Sequence, residues 1–151
     1  MIKKYIIDGN NLIGKIKSLW SLQQKDKQLS RIKLVKILDQ HFRSKNVKIS
    51  LHYDGFANEA IPSSKIKIFY SDKNTADSQI KNEVDNSKNP KVIAVISSDH
   101  SVQNYAKVNS CTVIKSEEFA KQMKQKKYNN REEEIIKSID NDELLKYFLD
   151  S

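Results

Sequence analysis

The chain of 151 residues is long enough for one domain with a hydrophobic core, and its single cysteine, Cys111, excludes a disulfide framework and a multi-cysteine zinc site. With 38% hydrophobic and 30% charged residues, the composition also excludes a disordered chain. No apolar stretch reaches the roughly 20 residues that span a bilayer, and the N-terminus lacks the apolar segment of a secretory signal. We therefore expect a cytoplasmic protein that does not act at a membrane.

Charge is distributed unevenly along the chain. The first 127 residues carry a net charge of +12, whereas residues 128 to 151, with seven acidic and three basic side chains, carry −4. A strongly basic body attracts polyanions, of which nucleic acid is the commonest in a cell, although a lysine-rich surface that only aids solubility has the same composition. We therefore divide the chain into a main domain, residues 1–127, and an acidic helical tail, residues 128–151.

Apolar runs of strand length recur along the chain with helix-like segments between them, which is typical of a parallel sheet covered by helices. The runs occupy residues 5–8, 47–54, 66–70, 91–99 and 111–114. The fourth run is almost continuous in branched side chains, as expected of a central strand buried on both faces. The predicted fold class is therefore α/β with a mainly parallel sheet.

Capping residues indicate where helices begin between these runs. Ser30 is predicted to cap the first helix, and Thr75 is predicted to cap the second, which ends before Pro90. Two further helices are predicted over residues 102–108 and from 117 to about 126.

Two stretches have weaker patterns. Residues 15–29 fit no regular period and are predicted to form a long loop, which either closes over a ligand or is a surface loop anchored by Trp20. Residues 131–149 have a helical pattern of apolar side chains, and its interruption at 140–142 predicts a break or a second helix start.

Aspartates follow three of the predicted strands. Asp8 ends the first run, Asp54 the second and Asp99 the fourth. Because the carboxyl ends of parallel strands form one rim, these acids are expected to share it, and Asp77, in the first turn of the second helix, can point back to the same rim. Each acid taken singly also has an ordinary explanation as a turn residue or a helix cap.

Converging carboxylates repel one another unless a cation neutralises them. Mg²⁺ and Mn²⁺ prefer oxygen ligands and accept phosphate oxygens beside them. An acidic metal site in a basic body suits hydrolysis of a phosphodiester, because lysines hold the backbone while the metal activates water. Other polar groups beside the acids are candidates for supporting roles, namely Asn10, Asn11, Ser97, Ser98 and His100.

Four sequence blocks, in this order and at suitable spacing, resemble the signature of a known family. They are YIIDGNNLIG at 5–14, LHYDGF at 51–56, NTADSQI at 74–80 and VIAVISSDHSVQNYA at 92–106. These blocks are similar to those of the YacP-like NYN domains, which belong to the PIN-like ribonuclease superfamily. The resemblance covers about residues 3 to 126, and its specificity comes from the ordered set, since DGNN alone is weak.

The resemblance implies a Rossmann-like α/β/α sandwich and a Mg²⁺- or Mn²⁺-dependent endoribonuclease that cleaves single-stranded RNA. Its bacterial members are associated with mRNA decay, in some cases on the translating ribosome. Carried over by position, the metal ligands would be Asp8, Asp77 and Asp99. The supporting polar groups would be Asn11 and Ser97 or Ser98, of which Asn11 and Ser98 would orient water or phosphate, and Asp54 would be a rim acid. Apart from the resemblance, Asn10, Ser78 and His100 lie beside these positions and are candidates for further support.

Two positions depart from the family pattern. Where many relatives carry further acids, this chain has Ser78 and Lys81. A site with fewer carboxylates leaves a second hypothesis open, that of an RNA-binding or ribosome-associated module with a degenerate nuclease site. A phosphatase is a third and less favoured hypothesis, because the residue two positions after Asp8 is Asn10 and not a second aspartate.

The sequence also makes predictions about partners. Lysines near the rim and around the end of the fourth helix are expected to contact the RNA backbone. They are Lys15, Lys17, Lys73, Lys124, Lys126 and Lys127. A monomer and a homodimer are both compatible with the sequence.

Overall fold

The computed structural model describes residues 1–138, with side chains for residues 1–131. Within this range, five strands form one sheet: β1 Lys4–Asp8, β2 Lys48–Tyr53, β3 Ile66–Tyr70, β4 Ile93–Ile96 and β5 Thr112–Ile114. Over the same residues, six α-helices accompany them: α1 Gly9–Ile13, α2 Lys17–Lys25, α3 Lys27–His41, α4 Ala76–Asp85, α5 His100–Val108 and α6 Ser116–Ser138. Every pair of neighbouring strands is parallel, which confirms the predicted α/β class.

The strands lie across the sheet in the order β3-β2-β1-β4-β5. The chain builds outward from β1 to β3, and α4 and a 3-10 turn at Pro90–Val92 then carry it to the other side of β1. The direction of strand addition therefore reverses between β1 and β4. In open parallel sheets, ligands bind at the carboxyl ends of the strands that flank such a reversal. We call the carboxyl ends of the strands, with the connections that leave them, the rim.

Alternation of side chains along the strands gives the sheet two buried faces. On one face, Ile6 packs against side chains of β4, α4 and α5; the other buried members of this cluster are Ile80, Val84, Ile93, Val95, Val102, Ala106 and Cys111. On the other face, the ring centre of Tyr5 lies 4.8 Å from that of Phe42, which stacks on Phe119 of α6 at 5.9 Å. Helices therefore cover both faces, and Cys111 is buried between the sheet and its helices.

Residues 15–29 do not form the long loop that the sequence predicts. Residues Lys17–Lys25 form α2, and α3 begins at Lys27, so only short connections remain. Leu19 anchors α2 in the core, whereas Trp20 is 50% exposed. The loop prediction was wrong because α2 is only nine residues long and begins after Ile16 without a capping side chain, so the sequence carries no start signal for it.

The cap of α3 also differs from the prediction. Asp26 caps this helix and accepts a backbone N–H of its first turn at 3.0 Å. Ser30 lies inside the helix, where its hydroxyl donates to the carbonyl of Leu19 at 3.1 Å and joins α3 to α2. Thr75 caps α4 as predicted, and its side chain accepts the N–H of Ser78 at 3.1 Å.

Two predicted elements change in length. The run 91–99 contains a strand of four residues, because Pro90 opens a 3-10 turn before it and Asp99 caps α5 after it. The last helix continues past the predicted end at about 126 to Ser138. The predicted interruption at 140–142 and the other residues from 139 to 151 lie outside the described residues.

The chain divides into two compact units, Met1–Ala120 and Lys121–Ser151. The first unit contains the whole sheet and α1 to α5, and the second contains the greater part of α6. The division at residue 127 stays a prediction. All helices within residues 1–138 are too short or too polar for a transmembrane span.

Candidate active site

Asp8 is buried at the end of β1, with 8% of its surface exposed. Its Oδ2 accepts a hydrogen bond from the Ser97 hydroxyl at 2.9 Å. Burial raises the pKa of Asp8 to about 6, against hydrogen bonds from Ser97 and the Asn11 backbone that favour the ionised form. The negative charges of Asp54 and Asp99 add to this rise. These two acids therefore lie within electrostatic range of Asp8, as expected for carboxylates that share a rim.

Gly9 is required by the close packing directly after Asp8. A Cβ atom at this position would lie 2.7 Å from the ring of Tyr53 and 2.8 Å from the carbonyl oxygen of His52. The carbonyl belongs to β2 and cannot move without distorting the sheet. The glycine of the DGNN block therefore lets α1 begin immediately after the strand, with Asp8 at the rim.

Asn10 and Asn11 are bonded to the connections that surround Asp8. The Oδ1 of Asn10 accepts the backbone N–H of Asp54, after β2, at 2.8 Å. The Oδ1 of Asn11 accepts the backbone N–H of Ser98, after β4, at 2.9 Å and the hydroxyl of Ser116, after β5, at 2.7 Å. The two side chains therefore position three connections, and contact of Asn11 with water or phosphate stays a prediction.

The carboxylates of Asp54 and Asp99 each accept a backbone N–H at the start of a helix. Asp54 Oδ1 accepts the N–H of Ala76, the first residue of α4, at 2.8 Å. Asp99 is the cap of α5: its Oδ1 accepts the N–H of Val102 at 3.2 Å, while its own N–H donates to Ser97 Oγ at 3.1 Å. Both acids therefore have a structural role, and both also bring a negative charge to the rim.

Asp77 lies in the first turn of α4 as predicted, but its carboxylate forms an ion pair with a lysine. The Lys81 ammonium lies 2.9 Å from Asp77 Oδ1 and donates to the Ser101 hydroxyl at 2.6 Å. It also lies 5.7 Å from the centre of the Tyr105 ring. Side chains of α4 and α5 therefore hold the ammonium on Asp77, and the exposed Ser78 brings no further carboxylate.

A further acid, Glu117, reaches the rim from the first turn of α6. Its carboxylate accepts a hydrogen bond from the Ser98 hydroxyl, whose oxygen also accepts the N–H of Ser116 at 2.9 Å. The bond from Ser98 lowers the pKa of Glu117, and the charges of Lys15 and Lys115 contribute to the lowering. Sequence reasoning missed Glu117, although it follows β5 closely and the rule used for the other strand ends would have found it.

The other predicted site residues in the first unit lie at exposed positions. His100 opens α5, Lys15 and Lys17 lie at the start of the segment that leads into α2, and Lys73 lies between β3 and α4. Lys73 directly follows β3 and is on the rim side, and Lys15 is near enough to Glu117 for its charge to lower the pKa of that carboxylate. A position of Lys17 at the rim stays a prediction. The remaining predicted lysines belong to the second unit and are Lys124, Lys126 and Lys127.

The oxygen donors at the rim have the chemistry that Mg²⁺ or Mn²⁺ prefers. Among the described residues, no three acidic, histidine or cysteine side chains converge closely enough to hold a metal ion. Mg²⁺ suits such an open site, because it keeps several waters and is usually bound by one or two carboxylates together with substrate phosphates. The described side chains therefore do not form a closed cage of three carboxylates, and an ion held by Asp8 and Asp99 stays a prediction.

Comparison with known proteins identifies the family. The family model of the YacP-like NYN domain matches residues 5–151. The chain belongs to the YacP-like NYN domain family. No curated protein matches the chain.

Solved structures of this NYN family share the fold of the chain. Rae1 (YacP) from Bacillus subtilis matches with a TM-score of 0.74 at 17% identity, over 97% of this chain and 92% of that one. A variant of the same protein with a tryptophan replaced by leucine matches with a TM-score of 0.75 at 18% identity, over 93% and 86%. At such identities the likeness concerns the fold, and the NYN family is what gives the chain its nuclease-type, RNA-processing character.

Proposed function

We propose that this NYN domain is a metal-dependent endoribonuclease that cleaves single-stranded RNA with Mg²⁺ or Mn²⁺. The observation that carries the proposal is the gathering of Asp8, Asp54 and Asp99 at the reversal of strand order. The family supports a ribonuclease, and the basic first 127 residues favour a polyanionic substrate. Neighbouring acids on a basic body suit metal-assisted hydrolysis of a phosphodiester.

Asp8 and Asp99 are the proposed ligands of the ion, with Asp54 as a third acid nearby. A bound Mg²⁺ or Mn²⁺ would activate water and neutralise charge at the phosphodiester. Asp77, the third ligand implied by the family resemblance, becomes available only when its carboxylate separates from Lys81, at 2.9 Å.

Two neutral groups and three lysines are proposed to act on the substrate. Asn11 and Ser98 lie beside the acids and would orient water or a phosphate oxygen. The rim lysines would hold the RNA backbone by their charge; they are Lys15, Lys17 and Lys73. Cytoplasmic mRNA as the substrate, an association with the ribosome, and the choice between monomer and homodimer also stay predictions.

A second candidate function is an RNA-binding module whose nuclease site no longer works. The observation that favours it is the ion pair between Asp77 and Lys81, which neutralises one of the three expected ligands. In this case the rim would bind RNA through its lysines without cleaving it.

The two candidates differ in whether a divalent cation leads to cleavage. We expect an unstructured single-stranded RNA to be cut in Mn²⁺ or Mg²⁺ but not in EDTA, and Asp99→Asn to reduce the rate by about 100-fold or more. Asparagine is as good a helix cap as aspartate, so this variant should keep the fold, which thermal unfolding checks. Asp39→Asn, at the end of α3 remote from the rim, is the matched control and should cleave normally.

Undiminished cleavage by Asp99→Asn would contradict the proposed site. RNA binding without cleavage at any metal concentration would contradict the enzyme and support the binding module.

A further inference from the structure

Phe56 is a large apolar side chain exposed to solvent beside the candidate active site. It lies two residues after Asp54, in the connection that leaves β2, and 61% of its surface is exposed. One exposed apolar residue is common on protein surfaces and carries no inference by itself. The backbone beneath Phe56, however, is fixed by hydrogen bonds that come from two other parts of the fold, α3 and the connection after β3.

Arg31 of α3 holds the two ends of this short segment. Its guanidinium donates to the carbonyl of Asp54 at 2.7 Å and to the carbonyl of Phe56 at 3.1 Å. The guanidinium carbon lies 5.2 Å from the ring centres of both Tyr53 and Tyr70, and Arg31 is only 3% exposed. The arginine is therefore itself held in place, and it fixes both carbonyls.

The connection after β3 supplies a second set of bonds. The N–H of Gly55 donates to the Ser71 hydroxyl at 2.9 Å, and the N–H of Asp72 donates to the Gly55 carbonyl at 2.8 Å. Gly55 has a φ of +82°, a conformation that favours glycine. Lys73 follows in the same connection and is exposed. Two loops bonded to each other therefore carry a phenyl ring and an ammonium group on the rim side of the sheet.

We propose that Phe56 is a stacking platform for one base of single-stranded RNA at the rim, and that Lys73 binds a phosphate of the same strand. This inference rests on the proposed function, since it takes RNA as the ligand. An aromatic ring on a fixed backbone loses little conformational entropy when a base stacks on it, and it accepts any base because every base has a π face. Asp54 precedes Phe56 by two residues in the same connection, so a base stacked on Phe56 would bring its nucleotide near this acid.

The test measures binding in EDTA, so that cleavage plays no part. Using fluorescence anisotropy with a labelled single-stranded RNA, we expect Phe56→Ala to weaken binding about 5- to 100-fold and Phe56→Trp to retain it. Val108→Ala is the control, because it removes a side chain that is 83% exposed at the end of α5 away from the rim. Against an RNA that is abasic throughout, Phe56→Ala should make no difference, because no base is left to stack.

Several outcomes would overturn the platform. They are unchanged binding by Phe56→Ala, equal loss of binding to the abasic RNA, and absence of RNA binding by the unchanged protein. Full RNA binding by Phe56→Leu would also overturn it, because leucine offers an apolar surface without an aromatic face on which a base can stack. Cleavage decides the proposed function separately: a chain that cleaves RNA without any dependence on Phe56 keeps the enzyme and loses the platform. A chain that binds RNA through Phe56 and never cleaves it keeps the platform and loses the enzyme.

Discussion

Two rim carboxylates, Asp8 and Asp77, have opposite electrostatic surroundings. Burial and neighbouring acids raise the pKa of Asp8 to about 6, so its ionised form costs about 3 kcal/mol more than that of a solvated aspartate. Asp77 is half-buried and already has a cation, the Lys81 ammonium at 2.9 Å. A divalent ion would neutralise the buried negative charge of Asp8, but it would have to displace Lys81 to bind Asp77.

Lys81 is therefore expected to compete with the metal for Asp77. Replacing it by glutamine should tighten Mn²⁺ binding about three- to tenfold, because a partly exposed ion pair contributes roughly 1 kcal/mol. Titration calorimetry of the protein without RNA measures the dissociation constant. Lys88→Gln removes the same charge in the connection after α4, at the other end of that helix. If both variants bind Mn²⁺ equally well, the gain comes from net charge and the competition does not exist.

Among the elements, α4 is joined to the sheet by a polar cluster that sequence reasoning does not detect. Glu83 lies 2.6 Å from the Lys4 ammonium of β1 and 2.7 Å from His52 Nε2 of β2, and it accepts the Ser50 hydroxyl at 2.7 Å. Burial alone would raise the pKa of Glu83, but the hydrogen bonds from His52, Lys4 and Ser50 lower it to about 2. The cluster therefore stabilises the folded state only while Glu83 is ionised.

The stability that Glu83 contributes should depend on pH in a defined direction. Its pKa is lower in the folded chain than the ordinary value of 4.5, so the contribution is present above about pH 4.5 and is lost as the pH falls to about 2. At pH 7, Glu83→Gln should reduce the free energy of unfolding by about 2–3 kcal/mol, and this difference should shrink towards zero in acid.

Urea unfolding across this pH range measures the effect. Glu59→Gln, at an exposed position, should change the free energy of unfolding by less than about 0.5 kcal/mol. A cost for Glu83→Gln that stays constant down to pH 2.5 would show that the side chain acts through packing and not through its charge.

Sequence patterns predict the features that depend on neighbouring residues. The five strands and the Thr75 cap follow from local patterns, and so does the placing of Asp8 and Asp99 after strands. Contacts of Arg31 and Lys81 depend on which helix covers which part of the sheet, and that is set by long-range packing. The helix α2 escapes prediction for a different reason, because it is short and no side chain caps its start.

At the scale of the whole molecule, all five strands point the same way, so the sheet has one edge formed by the carboxyl ends of the strands and an opposite edge formed by their amino ends. All strands end at the rim, where acids lie at the reversal of strand order and Lys15 and Lys73 stand in the connections that leave the strands. The amino ends lie at the other edge, which also carries exposed lysines, Lys3 and Lys48. Net positive charge attracts RNA to either edge. A lysine that binds RNA therefore differs from one that does not in its position on the sheet, and not in its charge.

The salt dependence of RNA binding measures this distinction. For a single strand, the logarithm of the association constant falls with the logarithm of salt concentration by about 0.7 for each phosphate neutralised. The double variant Lys15→Gln/Lys73→Gln should therefore reduce the slope by about 1.4, measured by anisotropy between about 50 and 300 mM salt in EDTA. Lys3→Gln/Lys48→Gln removes the same charge from the other edge and should leave the slope unchanged. If the two double variants have equal salt-dependence slopes, RNA is held by the overall charge of the protein. This result would contradict the prediction that RNA binds at the rim.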